Sequence, residues 1–359
     1  MKRTRLDVED LYILGAGSSY ALSKVNTHKK DYHNQTSPLD KDFLNCFYQE
    51  FSSGSDWKYE SFNLLKGGWL DKSDFISEGL ESAIIKRVSQ FEFLSNLNKE
   101  RSRRKCSNKD YLYHLSHLIA FYLSKTRSNS SGNTKVFINN VFPTIESIES
   151  YRNRIITFNY DILLDRVLLD RKVPIRQIYF DRLVNSKPDG IERKSSEKFL
   201  HPLILKMHGS INWHCDRSNF DEILFGEIDP KKKFPIFLGQ KSPLPKDNNS
   251  PLIIPPIPNK PLTRVSLFKF LWSTAFEYLH EAKRIIIIGY SCPNTDTLAK
   301  VLFSHFNNKE LREIIVVDPD PIILKKYREL IDLPKNNKVQ WKYFGSFEDY
   351  IKVEMPRVP

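Results

Sequence analysis

Polar and glycine residues follow four short apolar runs of the chain, and their types could support chemistry. The four segments read Gly-Ala-Gly-Ser-Ser at 15–19, Thr-Phe-Asn-Tyr-Asp at 157–161, His-Gly-Ser-Ile-Asn-Trp at 208–213 and Gly-Tyr-Ser at 289–291. In doubly wound α/β proteins, ligands bind at the edge formed by the carboxyl ends of the parallel strands. If the apolar runs are such strands, the four segments meet at one edge and form one site.

The first and last segments have the chemistry of a nucleotide-binding turn. Gly15 and Gly17 allow a tight turn and a close approach of the backbone to a pyrophosphate, while Ser18 and Ser19 add donors near a helix start. Gly289 and Ser291 could cradle a phosphate or a ribose in the same way. A plain tight turn remains the alternative for the first segment. The third glycine of the dehydrogenase fingerprint is missing there, which disfavours a hydride-transfer enzyme.

The middle segments carry side chains that could bind or move protons. The Asn159 amide can hold a ribose hydroxyl or a water, and the Asp161 carboxylate can accept from a carboxamide. His208 has the side chain best suited to take a proton at neutral pH. Helix caps at Asn159 and Asp161, and a buried histidine already satisfied by its neighbours, are the structural alternatives. Asp318, which follows another apolar run, could accept a ribose hydroxyl.

The apolar runs alternate with segments of helical periodicity, which predicts an α/β fold with a Rossmann-like, doubly wound parallel sheet. We expect a single domain over 1–359, in which 41–150 form a helical insertion after the first strand. Seven prolines within 242–261 predict that this region holds no regular element. The predicted strands are Leu11–Leu14, Arg154–Thr157, Leu203–Met207, Arg284–Ile288, Glu313–Val317 and Val339–Phe344, and the predicted later helices are 264–282, 294–306, 321–331 and a short one capped by Ser346.

The composition is that of a globular protein: 359 residues, 40% hydrophobic and 27% charged. No apolar run approaches the roughly 20 residues that span a bilayer, and the first ten residues lack the apolar core of a secretory signal. We therefore expect a cytoplasmic protein without a membrane partner. Four widely spaced cysteines argue against a disulfide scaffold and a four-cysteine zinc site. A nucleic-acid partner rests on the +12 net charge alone, since the basic clusters at 99–105 and 231–233 are better explained as solvated surface.

Taken in order, the motifs resemble those of the sirtuin-like NAD-binding domain, above all its bacterial branch used in antiphage defence. The matching patterns are Gly-Ala-Gly-x-Ser, Thr-x-Asn-Tyr-Asp, Lys-x-His-Gly-Ser-Ile-Asn-Trp and Gly-Tyr-Ser-x-Pro-x-x-Asp, spread from about Leu11 to Ile351. The resemblance implies that NAD is the substrate. By position it implies that Asn159 and His208 are catalytic, that Asp161 recognises the carboxamide, and that the remaining cofactor-binding residues are Gly15, Ala16, Gly17, Ser18, Gly289, Ser291 and Asp318.

The chain departs from protein-deacylating sirtuins in two places. The four-cysteine zinc ribbon and the Gly-Ile-Pro-Asp-Phe-Arg segment are missing, so we expect no metal and favour cleavage of NAD by water. The products would be nicotinamide and ADP-ribose, and NAD depletion would serve abortive infection. Alternatives are a non-catalytic sensor of NAD or ADP-ribose, and a protein deacylase or ADP-ribosyltransferase. The family further implies self-assembly, sometimes with a HerA-type translocase ATPase or another sensor.

Overall fold

A computed structural model of the chain describes residues 7–23, 40–52, 60–63, 65, 108–124, 133–143, 152–173, 178–179, 201–216, 219–225, 249–254, 266–333 and 338–355. The two basic clusters at 99–105 and 231–233 lie outside these ranges. None of the described helices is both long and apolar enough to cross a membrane.

A parallel sheet of six strands is the centre of the fold, and the doubly wound α/β prediction is confirmed. Its strands lie in the order β3-β2-β1-β7-β8-β9. Every residue of β2 and β8 is buried, which explains why the centres of these strands are apolar on both faces. The strands of this sheet are β1 (Val8–Leu14), β2 (Arg154–Thr157), β3 (Ile204–Lys206), β7 (Ala282–Ile288), β8 (Glu313–Val317) and β9 (Gln340–Phe344).

Helices follow most of these strands, as the alternating pattern predicts. Ser346 caps the last helix, its hydroxyl accepting the N–H of Asp349 at 3.1 Å. The described part of the segment 41–150 is helical and falls between β1 and β2. The helices are α1 (Ala16–Ser23), α2 (Asp40–Phe51), α3 (Asn108–Ser124), α4 (Asn133–Val141), α5 (Leu163–Asp170), α6 (Ser266–Glu281), α7 (Thr297–Ser304), α8 (Ile322–Leu330) and α9 (Phe347–Glu354).

A second, antiparallel sheet corrects the expectation that 242–261 hold no regular element. It contains β4 (Gly209–Asp216), β5 (Asn219–Phe225) and β6 (Asn249–Ile253), in the order β5-β4-β6. The strand β6 lies inside the proline-rich region and includes Pro251, which pairs with His214. Because β6 is an edge strand, a proline there need not break the ladder. Helix α3 packs against β4 and β6, so this sheet joins the helical segment to the main sheet.

His214 makes the stability of this second sheet sensitive to acid. The side chain is buried, and burial, with the nearby His117, lowers the pKa of His214 to about 3. A histidine in an unfolded chain has a pKa near 6.5, so below that pH the unfolded chain binds the extra proton. The contribution of the neutral His214 to stability is therefore fully present above about pH 6.5, and it is lost as the pH falls towards 3.

We expect the free energy of unfolding to fall by about 2 kcal/mol between pH 7 and pH 5 because of His214 alone. Urea denaturation at the two pH values should show a smaller difference for His214→Gln than for the wild type. His280→Gln, on α6 away from this sheet, is the matched control and should keep the wild-type difference. An unchanged pH dependence in His214→Gln would contradict the assignment.

Candidate functional site

The strand order reverses between β1 and β7, which makes the carboxyl ends of these two strands the switch point of the sheet. The turn after β1 begins at Gly15, and the turn after β7 begins at Gly289. Asn159 and Asp161 follow β2, His208 follows β3, and Asp318 follows β8. The structure therefore places the predicted site residues along one edge of the sheet, centred on the switch point.

The two glycine turns are in direct backbone contact. The Gly17 N–H donates to the Gly289 carbonyl at 3.0 Å, and the Gly15 N–H donates to the Ile288 carbonyl at 3.1 Å. A Cβ on Gly15 would lie 2.5 Å from the Gly289 carbonyl oxygen, and one on Gly17 would lie 2.8 Å from Gly289 Cα. Gly289 itself has a φ of +57°, in the left-handed region. Glycine is required here because two backbones touch.

Replacing Gly289 by Ala should destabilise the fold by more than about 2 kcal/mol, since left-handed backbone costs an alanine about 1–2 kcal/mol before any clash. The new Cβ would also lie 2.6 Å from Gly17 Cα. Urea denaturation measures the change. Gly345→Ala is the control, because its Cβ would meet only the Tyr343 hydroxyl at 3.9 Å. Equal effects of the two substitutions would contradict the close contact of the turns.

Asn159, Ser19 and Asp161 form a connected polar cluster beside these turns. The Asn159 amide donates to the Gly15 carbonyl at 2.7 Å and to Ser19 Oγ at 2.7 Å, and lies 3.2 Å from Ser18 Oγ. The Ser19 hydroxyl donates to Asp161 Oδ2 at 2.5 Å, and the other Asp161 oxygen accepts the Leu163 N–H at 3.0 Å. Asp161 thus has the capping contact that a helix start predicts, whereas the Asn159 side chain points to the glycine turn.

A buried ion pair contacts the backbone of this cluster. Lys206 Nζ lies 2.9 Å from Asp165 Oδ2, with 1% and 2% of the two side chains exposed. The same ammonium group donates to the Asp161 backbone carbonyl, and the Tyr179 hydroxyl donates to the second Asp165 oxygen. Buried charges need such partners because leaving either one unpaired costs several kcal/mol. The pair therefore fixes the backbone that carries Asp161.

The space enclosed by these side chains is small. A cavity of about 10 Å³ lies among Ser19, Asn159, Asp161, Asp165 and Lys206. This volume is about what one water molecule requires. A nucleotide does not fit in a cavity of this size, so the contacts of Asn159 and Asp161 with Ser19 would have to change for one to reach them.

Lys206→Met should lower the free energy of unfolding by roughly 3–5 kcal/mol, since it leaves the Asp165 carboxylate buried without its cation. Combining it with Asp165→Leu removes both charges and should restore part of that loss. Urea denaturation of the two single variants and the double variant forms a double-mutant cycle. A double variant less stable than the sum of the single effects would contradict the pairing.

His208 contacts a second acidic residue at the same edge. Its Nε2 lies 3.2 Å from Asp296 Oδ2, and the two side chains are 9% and 2% exposed. The Tyr290 hydroxyl donates to the same oxygen at 2.8 Å. The Phe158 ring stacks on the Tyr290 ring at 4.0 Å and meets the His208 ring edge-on at 5.3 Å. Phe158 directly precedes Asn159, so it links the His208 group to the Asn159 cluster.

The strand β6 fixes the backbone of the same loop. The Ile254 N–H donates to the His208 carbonyl at 2.9 Å, and the Tyr160 hydroxyl donates to the Ile254 carbonyl at 2.6 Å. Gly209 has a φ of +84°, which allows the chain to turn from His208 into β4. The second sheet therefore sets the position of His208.

The predicted residues on the β8 side form a separate, more open group. Asp318 Oδ1 accepts the Asp320 N–H at 2.9 Å, and burial raises the pKa of Asp318. Ser291 is exposed, and its carbonyl accepts from Lys326 Nζ at 2.7 Å. Ala16 is exposed at the start of α1. A ligand reaching from Asn159 to Asp318 would cross the glycine turns at the switch point.

Three residues of the site were not predicted, namely Asp165, Lys206 and Asp296, and Ser19 was expected only as a donor near the helix start. The sequence holds a signal for the first three. Lys206 is the charged residue within the apolar run 203–207, and Asp165 interrupts an otherwise apolar helix face. Asp296 is the last residue of the Gly-Tyr-Ser-x-Pro-x-x-Asp pattern, where a helix cap is the expected role. The role of Ser19 rather than Ser18 depends on the rotation of α1, which the sequence does not fix.

The fold and site together define a doubly wound α/β protein with a polar site at its switch point. Comparison of the sequence with family models and with curated proteins finds no match. Among solved structures, the chain is similar to Sir2Tm bound to a propionylated peptide, at 12% identity over 96% of this chain and 90% of that one, with a TM-score of 0.36.

Two further solved structures are similar at the same level. A mutant Sir2 homologue in complex with ADP-ribose shares 14% identity over 68% of this chain and 77% of that one, with a TM-score of 0.35. A sirtuin described for its substrate affinity shares 11% identity over 96% and 91%, with a TM-score of 0.39. The fold assignment rests on the strand order of this chain. Among the described residues, no group of three or more His, Cys, Asp or Glu could hold a metal ion.

Proposed function

We propose that the chain is an NAD glycohydrolase that cleaves the bond between nicotinamide and ribose. The observation that carries the proposal is the position of Asn159, whose amide is held by Gly15 and Ser19 at the switch point of the sheet. His208, paired with Asp296, follows the neighbouring strand β3 and is linked to Asn159 through Phe158. The order of the motifs in the sequence supports NAD as the ligand.

The proposed reaction is a hydrolysis in which atoms and charge balance. The bond from ribose C1′ to the nicotinamide nitrogen breaks, its electron pair stays with nicotinamide, and the ribose passes through an oxocarbenium-like state. The oxygen of a water bonds to C1′, and its proton goes to His208. Asn159 would orient the ribose and this water, and Asp161 would accept from the carboxamide. The products are nicotinamide, ADP-ribose and a proton.

The hydrogen bonds of the site support a controlled enzyme. Asn159 and Asp161 already bond to Ser19, so a bound substrate has to exchange these internal partners for its own groups. That exchange makes activity dependent on the position of the Gly15–Ser19 turn. A hydrolase that consumes NAD needs such control in its own cell.

We further propose, from the sequence resemblance, that the enzyme depletes NAD in the cytoplasm during bacterial antiphage defence. Self-assembly and an external partner, such as a HerA-type translocase ATPase or another sensor, would supply the trigger. The net charge of +12 leaves nucleic acid as a further trigger to test.

Purified chain incubated with NAD should release nicotinamide and ADP-ribose, followed by chromatography. Asn159→Ala and His208→Ala should each lower turnover by roughly 10²-fold or more, as loss of a proton-transfer or orienting group does. Asn159→Ala should still bind NAD in calorimetry. Unchanged turnover in either variant would remove that residue from the mechanism.

The chain offers matched controls on the same strands. Asn153 precedes β2 at its amino end, and His201 precedes β3. Asn153→Ala and His201→Ala should keep wild-type turnover in the folded fraction. If the chain releases nothing, alone or in the native partner complex, yet binds NAD, it is a sensor. A requirement for an acylated peptide would instead show a deacylase.

A further inference from the structure

We infer that Asp296 is a positioning residue for His208, which deepens the proposed function and rests on it. The carboxylate would hold the imidazole in one tautomer and stabilise the positive charge that His208 gains when it takes a proton. Such an aspartate needs no contact with substrate. The inference rests on geometry, since Asp296 lies at a helix start but does not cap the helix.

The conformation at the start of α7 is the first observation. Asp296 occupies the N-cap position of this helix, where an aspartate normally accepts a backbone N–H from the first turn. Its side chain makes no such bond. The Tyr290 hydroxyl and His208 Nε2 instead lie within 2.8 Å and 3.2 Å of one oxygen, Oδ2. The helix gives up a stabilising cap, and the carboxylate points to the histidine.

The second observation is that Asp296 is itself held in place. Its partner Tyr290 stacks on Phe158 with an angle of 5° between the ring planes, and its carbonyl accepts the Tyr327 hydroxyl at 2.8 Å. The groups that hold the carboxylate thus come from the turn after β7, from α8 and from the end of β2. Because these contacts restrict the orientation of the Asp296 carboxylate, it can orient the His208 ring that it contacts.

The chemistry follows from which nitrogen faces the acid. A carboxylate accepts a hydrogen bond from an N–H group, so the neutral ring carries its hydrogen on Nε2, and Nδ1 is the basic nitrogen. When Nδ1 takes a proton, the ring becomes a cation next to a fixed negative charge. In a buried site this attraction is only weakly screened. The same division of roles occurs between the aspartate and histidine of hydrolase triads.

Three titratable groups near the pair stay neutral at neutral pH, because burial raises their pKa values. Burial and the Asp296 charge raise the pKa of Tyr290 well above its usual value, and burial also raises the pKa of Tyr327. Burial raises the pKa of the Cys292 thiol to about 12, although Lys326 and Lys300 act in the opposite direction. The Tyr160 ring also lies 6.3 Å from the His208 ring. An acidic limb in the pH–rate profile should therefore belong to the His208–Asp296 pair.

Asp296→Asn is the decisive variant, because the amide oxygen can still accept both hydrogen bonds while the charge is lost. We expect kcat for NAD cleavage to fall by roughly 10²- to 10⁴-fold, as for the equivalent change in a hydrolase triad, with KM little changed. The acidic limb of kcat/KM should move to lower pH by about one unit or more, because a neighbouring negative charge favours the protonated ring. Wild-type kcat and an unmoved limb would overturn the inference.

Glu313→Gln is the matched control, since it also removes a buried carboxylate from an ion-pair network. Glu313 contacts Arg284 at 3.0 Å and Lys342 at 2.8 Å, at the opposite end of the sheet. It should keep the wild-type kcat and pH profile in the folded fraction. If both variants lose activity only in proportion to unfolding, Asp296 has a merely structural role and the inference is wrong.

A readout without activity separates this inference from the proposed function. In protein with ¹⁵N-labelled histidines, His208→Gln identifies the His208 ring signals. We expect the wild-type ring to carry its hydrogen on Nε2, and Asp296→Ala to give a mixture of tautomers. If NAD is not cleaved but the tautomer still depends on Asp296, the proposed function fails and the positioning role stands. A hydrogen on Nδ1 in the wild type would overturn the role.

Discussion

The contact between the backbones of two glycine turns is the constraint on which the rest of this site depends. Gly17 and Gly289 approach so closely that a single added methyl group would displace a main chain. This approach brings the ends of β1 and β7 together, and it lets Phe158 and Tyr290 stack across the end of β1. The Asn159 amide reaches the Gly15 carbonyl because that carbonyl has a fixed position. The position of the Asn159 amide thus depends on glycines, which have no side chain, in the two turns beside it.

Charged groups below the sheet edge are tolerated because each has a defined partner. Lys206 and Asp165 are almost fully buried, yet their contacts with each other, with Tyr179 and with the Asp161 carbonyl satisfy them. A hydrophobic replacement would fill the same volume at similar or lower free energy. What such a replacement cannot supply is a fixed direction for the Asp161 backbone. The Lys206–Asp165 pair therefore serves mainly to orient the backbone of Asp161.

The sequence alone is enough to predict the main sheet, because its buried parallel strands are nearly continuous apolar runs that alternate with amphipathic helices. It also predicts which strand ends carry Asn159, Asp161 and His208. It could not predict β6, because the prolines that normally end a strand are compatible with an edge strand. Nor could it assign Asp296, since the same residue at the same place is a good helix cap. Which partner an aspartate takes depends on contacts between segments 88 residues apart in the chain, from His208 to Asp296.

The missing cap on α7 has a consequence for local motion. Because the Asp296 side chain makes no capping hydrogen bond, the first turn of this helix lacks the stabilisation that an N-cap aspartate usually provides. Hydrogen exchange there would be faster than in the middle of α7. Fraying of that turn would carry Asp296 away from His208, so local unfolding of one short helix would change the surroundings of this histidine. The free energy of opening a single helical turn would then set how long the site remains assembled.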